Sequence, residues 1–570
     1  MNTLVTENPV ESYEQHAQAL MSRYATAFQL YKADQLEAAL AGCIEILQDT
    51  PTYFDALHLA AVLCSRLGRM DQALHYIQRA HQSNPANAVA HFNHGTILIA
   101  LGQLTEAAEA MQRAVSLEPS HQSAWYHLGK LRMDLQQPLQ ALQHFEQAIR
   151  LNPQFVDALD KAGLCALELG QVDQAEKYFK QATTLYPEHS DFLSNYGILL
   201  YKTGRYAEAI EKFNLALRKQ PNHHHALNNR GSSLLQLAQY SEAIKDFERA
   251  IQAKPDMASA YWNRALVHLL HCNFEQGWTD YEWRKKLPTG IRDETGLAIP
   301  VWTGDVSLQG RSILIFSEQG MGDTLQFCRY ATCVADLGAT VTLAIQAPLI
   351  PLVQTLDPRI QVVNKDGLQW QGDYQTPLMS LPYALRSFAP DEQPVSAQGY
   401  LHPSQDKIAA WKQRLGLKIK PRIGIAWSGS PKHINDLNRS MKLAQFMASM
   451  PTQLEFIALQ KEIRPEDMRT LRSDLRLKSF DHELRNFEDT AALAKNLDLI
   501  VSVDTSVAHL AGAIGLPVWI LLPAVPEWRW TLEGDHTDWY PTARLFRQPS
   551  IGDWQTIFAA VSRALQEKFA

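Results

Sequence analysis

Three stretches in the second half of the chain carry residue types that chemistry needs. The first is Ser317-Glu-Gln-Gly-Met-Gly-Asp-Thr-Leu-Gln-Phe-Cys-Arg-Tyr330. The apolar run SILIFS leads into Gly320 and Gly322, and a helical pattern begins near Asp323. Two glycines let a backbone approach a ligand closely. The stretch is not a GxGxxG dinucleotide fingerprint and lacks the Lys-Ser/Thr of a phosphate loop, which argues against ATP hydrolysis. Asp323 has two readings. It is a carboxylate able to take a proton from an acceptor hydroxyl, or it is a plain helix cap.

The second stretch is Trp427-Ser-Gly-Ser-Pro-Lys-His-Ile-Asn-Asp-Leu-Asn-Arg-Ser440. Lys432 and Arg439 stand in it with one acid, Asp436. That composition suits a loop gripping a diphosphate, and an ordinary charged surface loop shares it. The third is Ser502-Val-Asp-Thr-Ser-Val-Ala-His-Leu-Ala-Gly-Ala513. It opens a small-residue helix, so backbone amides near Asp504, Thr505 and Ser506 would face an anion. His509 follows about one turn in, as a site residue or as a packed imidazole. A tract with Glu527, Trp528, Arg529, Trp530, Trp539 and Tyr540 either stacks on a base or sugar or packs under the final helix. The chain has no DxD triplet, so no aspartate pair for Mn or Mg is expected.

These stretches require strands that end at them. Strands are expected at 312–317, 340–345, 422–428, 454–459, 498–503 and 517–522, alternating with helices at 323–337 and 554–569. Such alternation marks a parallel α/β sheet. A polar tract, 407–421, reads as a linker between two sets of strands.

The first half has another rhythm. Prolines stand at 51, 85, 119, 153, 187, 221 and 255, always 34 apart. Alanine lies twelve residues before each, glycine twenty-four before several (Gly95, Gly129, Gly163, Gly197, Gly231), and phenylalanine eight before the last four (Phe145, Phe179, Phe213, Phe247). Gly68, Gly102, Gly170 and Gly204 fall seventeen before theirs, where a first helix must end. This is the period of the tetratricopeptide (TPR) helix–turn–helix unit. Seven units are expected, and an eighth at 256–288, with Gly277 in place of the alanine, caps the array. The sixth position of successive units reads Asn93, His127, Lys161, Asn195, Asn229 and Asn263. Its asparagines (Asn93, Asn195, Asn229, Asn263) would line an acceptor groove and hydrogen-bond a peptide backbone, or simply follow a common preference of such units. His223, His224 and His225 are expected at a solvated helix start, since neighbours on a helix point apart and chelate one ion badly.

Composition narrows the class. The 570 residues are 46% hydrophobic and 20% charged, as in a globular protein. A net charge of −7 does not suit a general nucleic-acid binder. The start lacks a basic, apolar secretory signal. The region 497–525 is interrupted by Asp498, Asp504 and His509, so no membrane span is expected. Six scattered cysteines without a CxxC pair fit reduced thiols in a cytoplasmic location.

Four segments, EQGMGDTLQFCRY, WSGSPKHINDLNRS, SVDTSVAHLAGAIGLPVWILLP and PEWRWTLEGDHTDWYPTARLFRQP, together resemble the C-terminal domain of bacterial TPR-linked glycosyltransferases. That domain is similar to lipopolysaccharide heptosyltransferases. The domain order resembles O-GlcNAc transferase and TPR-bearing flagellin glycosyltransferases. The resemblance implies an all-α TPR superhelix followed by an α/β GT-B fold of two Rossmann-like halves. It divides the chain into a tail (1–17), the array (18–288), an N-terminal half (289–405) and a nucleotide-sugar-binding half (406–570). It makes Asp323 the catalytic base and puts donor contacts at Gly320, Gly322, Lys432, Arg439, Asp504, Thr505, Ser506 and His509. Ser506 stands where heptosyltransferases have glycine, and the O-GlcNAc transferase HTTG-type motif is absent. The implied activity is metal-independent and, with a base opposite the leaving group, inverting, and it moves a sugar from a nucleotide-sugar to a protein Ser or Thr. The nucleotide-sugar is a co-substrate and no cofactor is expected. A protein or peptide acceptor is the expected partner, with homodimer formation open. The alternatives are a non-catalytic TPR scaffold, or transfer to a lipid or polysaccharide.

Overall fold

The computed structural model describes residues 9–287, 296–392, 396–431 and 435–570. The chain forms two compact units, Met1–Ala226 and Leu227–Ala570.

In the first unit helices follow one another from Pro9–Lys32 to Tyr206–Lys219. Residues from Pro9 onward are thus helical, ahead of the start expected for the array. From Phe54–Arg66 and Met70–Ser83 on, helices of 13 and 14 residues alternate. Each second helix stops two residues before the periodic proline, as at Leu117 and Pro119, because proline disfavours helix in the residue before it. The first helix of a pair ends in a left-handed residue, Gly102 at φ 76° and Gly170 at 74°. Asp34 and Gln136 hold the same conformation without being glycine, at 60° and 58°.

The small–large pairs of the sequence are the contacts of each helical pair. A Cβ placed on Gly163 would lie 2.7 Å from the Phe179 ring, and one on Gly129 would lie 2.6 Å from Phe145. Both rings are fully buried. His223 departs from expectation. It is buried, its Nε2 lies 2.8 Å from Asp191, and its Nδ1 accepts from the Ala226 amide at 3.2 Å. The imidazole caps the helix His224–Gln236 instead of facing water.

The second unit contains the last helical pairs, Tyr240–Ala253, Ala258–Leu270 and Phe274–Tyr281, with a 3₁₀ turn at Glu282–Lys286. Two wholly parallel sheets follow. The first has strands β1 (Ser312–Phe316), β2 (Thr340–Ile345), β3 (Gln361–Asn364) and β4 (Tyr374–Pro377), in the order β3-β2-β1-β4. The second has β5 (Arg422–Ala426), β6 (Glu455–Ala458), β7 (Leu477–Ser479), β8 (Leu499–Val503), β9 (Val518–Leu522) and β10 (Ala543–Arg547), in the order β10-β9-β8-β5-β6-β7. Both orders reverse direction at a central strand, at β1 and between β5 and β8. Crevices open at the carboxyl ends of such strands.

Two expected elements take another form. The helix at 323–337 is two helices, Met321–Phe327 and Tyr330–Asp336. The Tyr400 hydroxyl donates to the Leu325 carbonyl at 2.8 Å, and Ala331 and Thr332 form three-residue backbone bonds instead of four-residue ones. A donor inserted into the ladder breaks a helix this way. The linker expected at 407–421 overlaps the helix Gln405–Leu415, which Gly416 ends at φ 69°. Trp411 and Leu415 are its buried face.

Candidate functional site

β1 runs into Ser317, and the loop turns at Gly320 into the helix Met321–Phe327. Asp323 closes the start of that helix. Its Oδ2 accepts from the Gly320 amide at 3.0 Å. Its Oδ1 accepts from Nη2 of Arg529, which lies 206 residues away. Arg529 also donates to Glu527 and to the Gln326 side-chain oxygen. Its guanidinium sits 4.3 Å from the centre of the Trp528 ring. Arg529 is therefore a buried cation shared by two carboxylates and flanked by an aromatic face.

β8 ends at Val503, and Thr505 precedes the helix Ser506–Ala513. No side chain caps that helix start. The Thr505 hydroxyl lies 3.1 Å from the Ser502 hydroxyl. Arg439, on the short helix Asp436–Arg439, donates to the Asp504 carbonyl at 3.2 Å. Gly429 leaves room for it, since a Cβ there would lie 2.4 Å from the guanidinium. Arg464 holds Asp436 at 2.6 Å, so the acid of the second stretch is neutralised from β6's loop. Lys432 lies outside the described residues.

The two carboxyl-end loops meet. A Cβ on Gly322 would lie 2.8 Å from His509 and 3.5 Å from Ser506. Here glycine is required by the approach of another helix, not by its own backbone angle. His509 is buried, stacks on Trp530 with ring centres 5.3 Å apart, and places Nδ1 3.1 Å from the Tyr540 hydroxyl. Its Nε2 stands 4.0 Å from Asp504. Burial, aided by Arg529 and Arg439, pushes the imidazole well below its usual range, so it is neutral. Burial pushes the Asp504 carboxyl up, against the pull of Arg439 and Arg529. Glu527 keeps 31% of its side-chain exposure but lies deep in the site. Burial and the Asp504 charge push it up to about 8 against the pull of Arg529.

Among the expected residues, Gly320, Gly322, Asp323, Arg439, Asp504, Thr505, Ser506 and His509 thus gather at the facing ends of β1 and β8. The aromatic tract is packed: Trp528, Trp530, Trp539 and Tyr540 are buried. Its reading as a stacking surface gives way to that of a wall behind Arg529. Arg529 and Glu527 were visible as residues in that tract, but the bond from Arg529 to Asp323 was not. Gln326 gave no signal.

The asparagines of the repeats have partners of their own. Asn93 Nδ2 lies 2.7 Å from His58 Nε2, Asn195 donates to Asp160 at 2.8 Å, and Asn263 donates to Asn228 at 3.0 Å. Each partner lies 35 residues earlier, so the amides link one repeat to the one before. Asn229 accepts from its neighbour Asn228 at 3.3 Å. A cavity of about 480 Å³ opens in the first unit, beside His81, His91, His94 and Glu106. The unit that holds it does not contain Asp323. Among the described residues, no helix is long and apolar enough to cross a membrane.

Comparison with known proteins agrees with the helical pairs. The family description "Tetratricopeptide repeat" matches residues 59–124, 92–154, 126–180 and 161–224, and "TPR repeat" matches 231–271. Tetratricopeptide repeats therefore run through this part of the chain. Protein FlbA of Caulobacter vibrioides (strain ATCC 19089 / CIP 103742 / CB 15) is 25% identical over 323 residues, 51% of this chain and 52% of FlbA. The chain spans about half the length of that curated relative. Among solved structures, YrrB, described as a TPR protein with an unusual peptide-binding site, is 23% identical, with a TM-score of 0.29 over 32% of this chain and 95% of YrrB. A tetratricopeptide repeat protein from Parabacteroides merdae ATCC 43184 is 18% identical, with a TM-score of 0.34 over 44% of this chain and 99% of its own.

Proposed function

We propose that the chain is a glycosyltransferase of the GT-B type, which moves a sugar from a nucleotide-sugar to a Ser or Thr hydroxyl of a protein engaged by the repeats. The observation that carries this reading is the meeting of two loop ends, a carboxylate at Asp323 and an uncapped helix start at Ser506, with Gly322 against His509. The amides at Ser506 and the cations Arg439 and Lys432 receive the donor diphosphate. Asp323 faces the acceptor. The acceptor oxygen bonds to the anomeric carbon as the bond from that carbon to the diphosphate oxygen breaks. The electron pair leaves with the nucleotide, and the hydroxyl proton passes to Asp323. The cations and helix amides stabilise the departing charge.

A second reading has one observation in its favour. Asp323 is tied at both oxygens, as a structural cap would be, which suits a scaffold without catalysis. Asp323→Asn separates the two. A thermal-shift screen with UDP-, GDP-, ADP- and CMP-sugars first identifies the donor. The variant then keeps that shift and loses transfer by a factor on the order of 10²–10⁴. Transfer equal to the parent's would sink the enzyme reading of Asp323.

A further inference from the structure

The final helical pair reaches the site from behind, and does so on both sides. On one side, the Tyr281 hydroxyl lies 2.9 Å from Nε2 and 3.2 Å from Oε1 of Gln319. Arg284 donates to Glu318 at 2.7 Å and to Ser380 at 2.8 Å, and the Glu318 side chain is wholly buried. Gln346 holds the Gln319 carbonyl at 2.8 Å. Glu318 and Gln319 are the residues directly before Gly320, whose amide holds Asp323 Oδ2. On the other side, Trp278 meets Trp528 edge to face at 5.3 Å and Phe327 at 5.8 Å, with its indole N–H donated to the Phe388 carbonyl at 3.0 Å. Trp528 is the ring on which Arg529 rests, and Arg529 holds Asp323 Oδ1.

Each oxygen of Asp323 is thus held by a group that the segment Trp278–Arg284 braces. We infer that the terminal repeat is part of the reaction site, and that Tyr281 is a positioning residue which fixes the Asp323 carboxylate through Gln319 and the Gly320 amide. The inference rests on the reading of Asp323 as the base. Its physical content is alignment. A base that must meet one hydroxyl loses rate when its anchoring loop gains freedom, while the donor, bound at the other sheet, is held as before. The repeat array then does more than dock an acceptor, because its last member sets the geometry of the chemistry.

The test is Tyr281→Phe in the full chain, which removes one hydroxyl from a buried ring and keeps its packing. Amide hydrogen exchange at Gly320 is expected to rise about tenfold, with helix Leu104–Leu117 unchanged as an internal reference. With the nucleotide-sugar selected in the thermal screen, kcat falls about tenfold while the donor KM stays within about twofold. Gln319→Ala gives the same loss, and the double variant loses no more than either single one. Unchanged exchange at Gly320 overturns the inference without reference to any donor, and so do additive losses or a donor KM that rises as kcat falls. Asp323→Asn is measured alongside. If it keeps full transfer, the reading of Asp323 as the base fails, and the role of Tyr281 with it; if it alone loses transfer while Tyr281→Phe behaves as the parent, only the role of Tyr281 fails.

Discussion

In the helical pairs Gly163 meets Phe179, and the same small–large contact returns every 34 residues. At Asp323 one guanidinium meets two carboxylates and a side-chain amide oxygen, in an arrangement that does not follow the 34-residue period. The first region is held by shape. Its Gly–Phe contacts are apolar, short in sequence separation and repeated, so each is worth a little and the array sums them. The second is held by charge in a dry setting, where the loss of one partner strands the others. Order built by repetition tolerates local error, and order built on one buried cation does not.

The sharpest way to break that contrast is Arg529→Met. It leaves Glu527 and Asp323 without their shared cation and is expected to cost about 3–5 kcal/mol. Denaturant unfolding followed by tryptophan fluorescence reads it well, since every tryptophan but Trp125 lies beyond residue 226. A cost below about 1 kcal/mol would show the pair to be a surface bridge in character. In the repeats, Gly163→Ala drives a methyl against a buried ring. Overpacking of about 1–3 kcal/mol is offset by about 1 kcal/mol of helix propensity, a net loss of up to about 2 kcal/mol by circular dichroism melts.

Acidity separates the regions by sign. His81 is pushed down from 6.5 to about 4 by burial and then by the neighbouring His91 and His94. The unfolded chain takes up that proton first, so its contribution to stability is present above pH 6.5 and is lost as pH falls toward 4. Glu527 is pushed up from 4.5 to about 8. The folded chain keeps that proton longer, so its contribution is present below pH 4.5 and is lost as pH rises through 8. Unfolding midpoints of His81→Leu and Glu527→Gln against pH should therefore differ from the parent at opposite ends of the scale. Matching slopes would remove the distinction. The smallest effect expected is a gain: Gln136→Gly relieves a left-handed backbone at φ 58° and stabilises by about 1 kcal/mol.

The same contrast explains what could be read in advance. A period of 34 residues repeats its own message, so the turns at Gly102 and Gly170 and the Gly–Phe contacts were legible from spacing alone. The strands β1, β2, β5, β6, β8 and β9 were legible as apolar runs between turns. β3, β4, β7 and β10 are short or half-exposed, and such runs resemble loop sequence. The helix at 405–415 was hidden by its charges, of which Lys407 pairs with Glu488 and Asp489. The gathering of Asp323 with Asp504, Thr505, Ser506 and His509 followed from strand ends. Its clasp by Arg529 did not, because an ion pair across 206 residues leaves no mark in local pattern. The break at Cys328 had the same origin, a hydroxyl from Tyr400, some seventy residues on.

The Gly–Phe contact has a consequence for how such a chain can change over generations. Both members of each contact belong to one repeat, sixteen residues apart, as Gly129 with Phe145 and Gly197 with Phe213. A duplication or deletion of one whole period therefore carries a complete joint in or out and orphans neither partner. The array can be lengthened or shortened in steps of 34 residues by recombination alone, and its length becomes a countable trait.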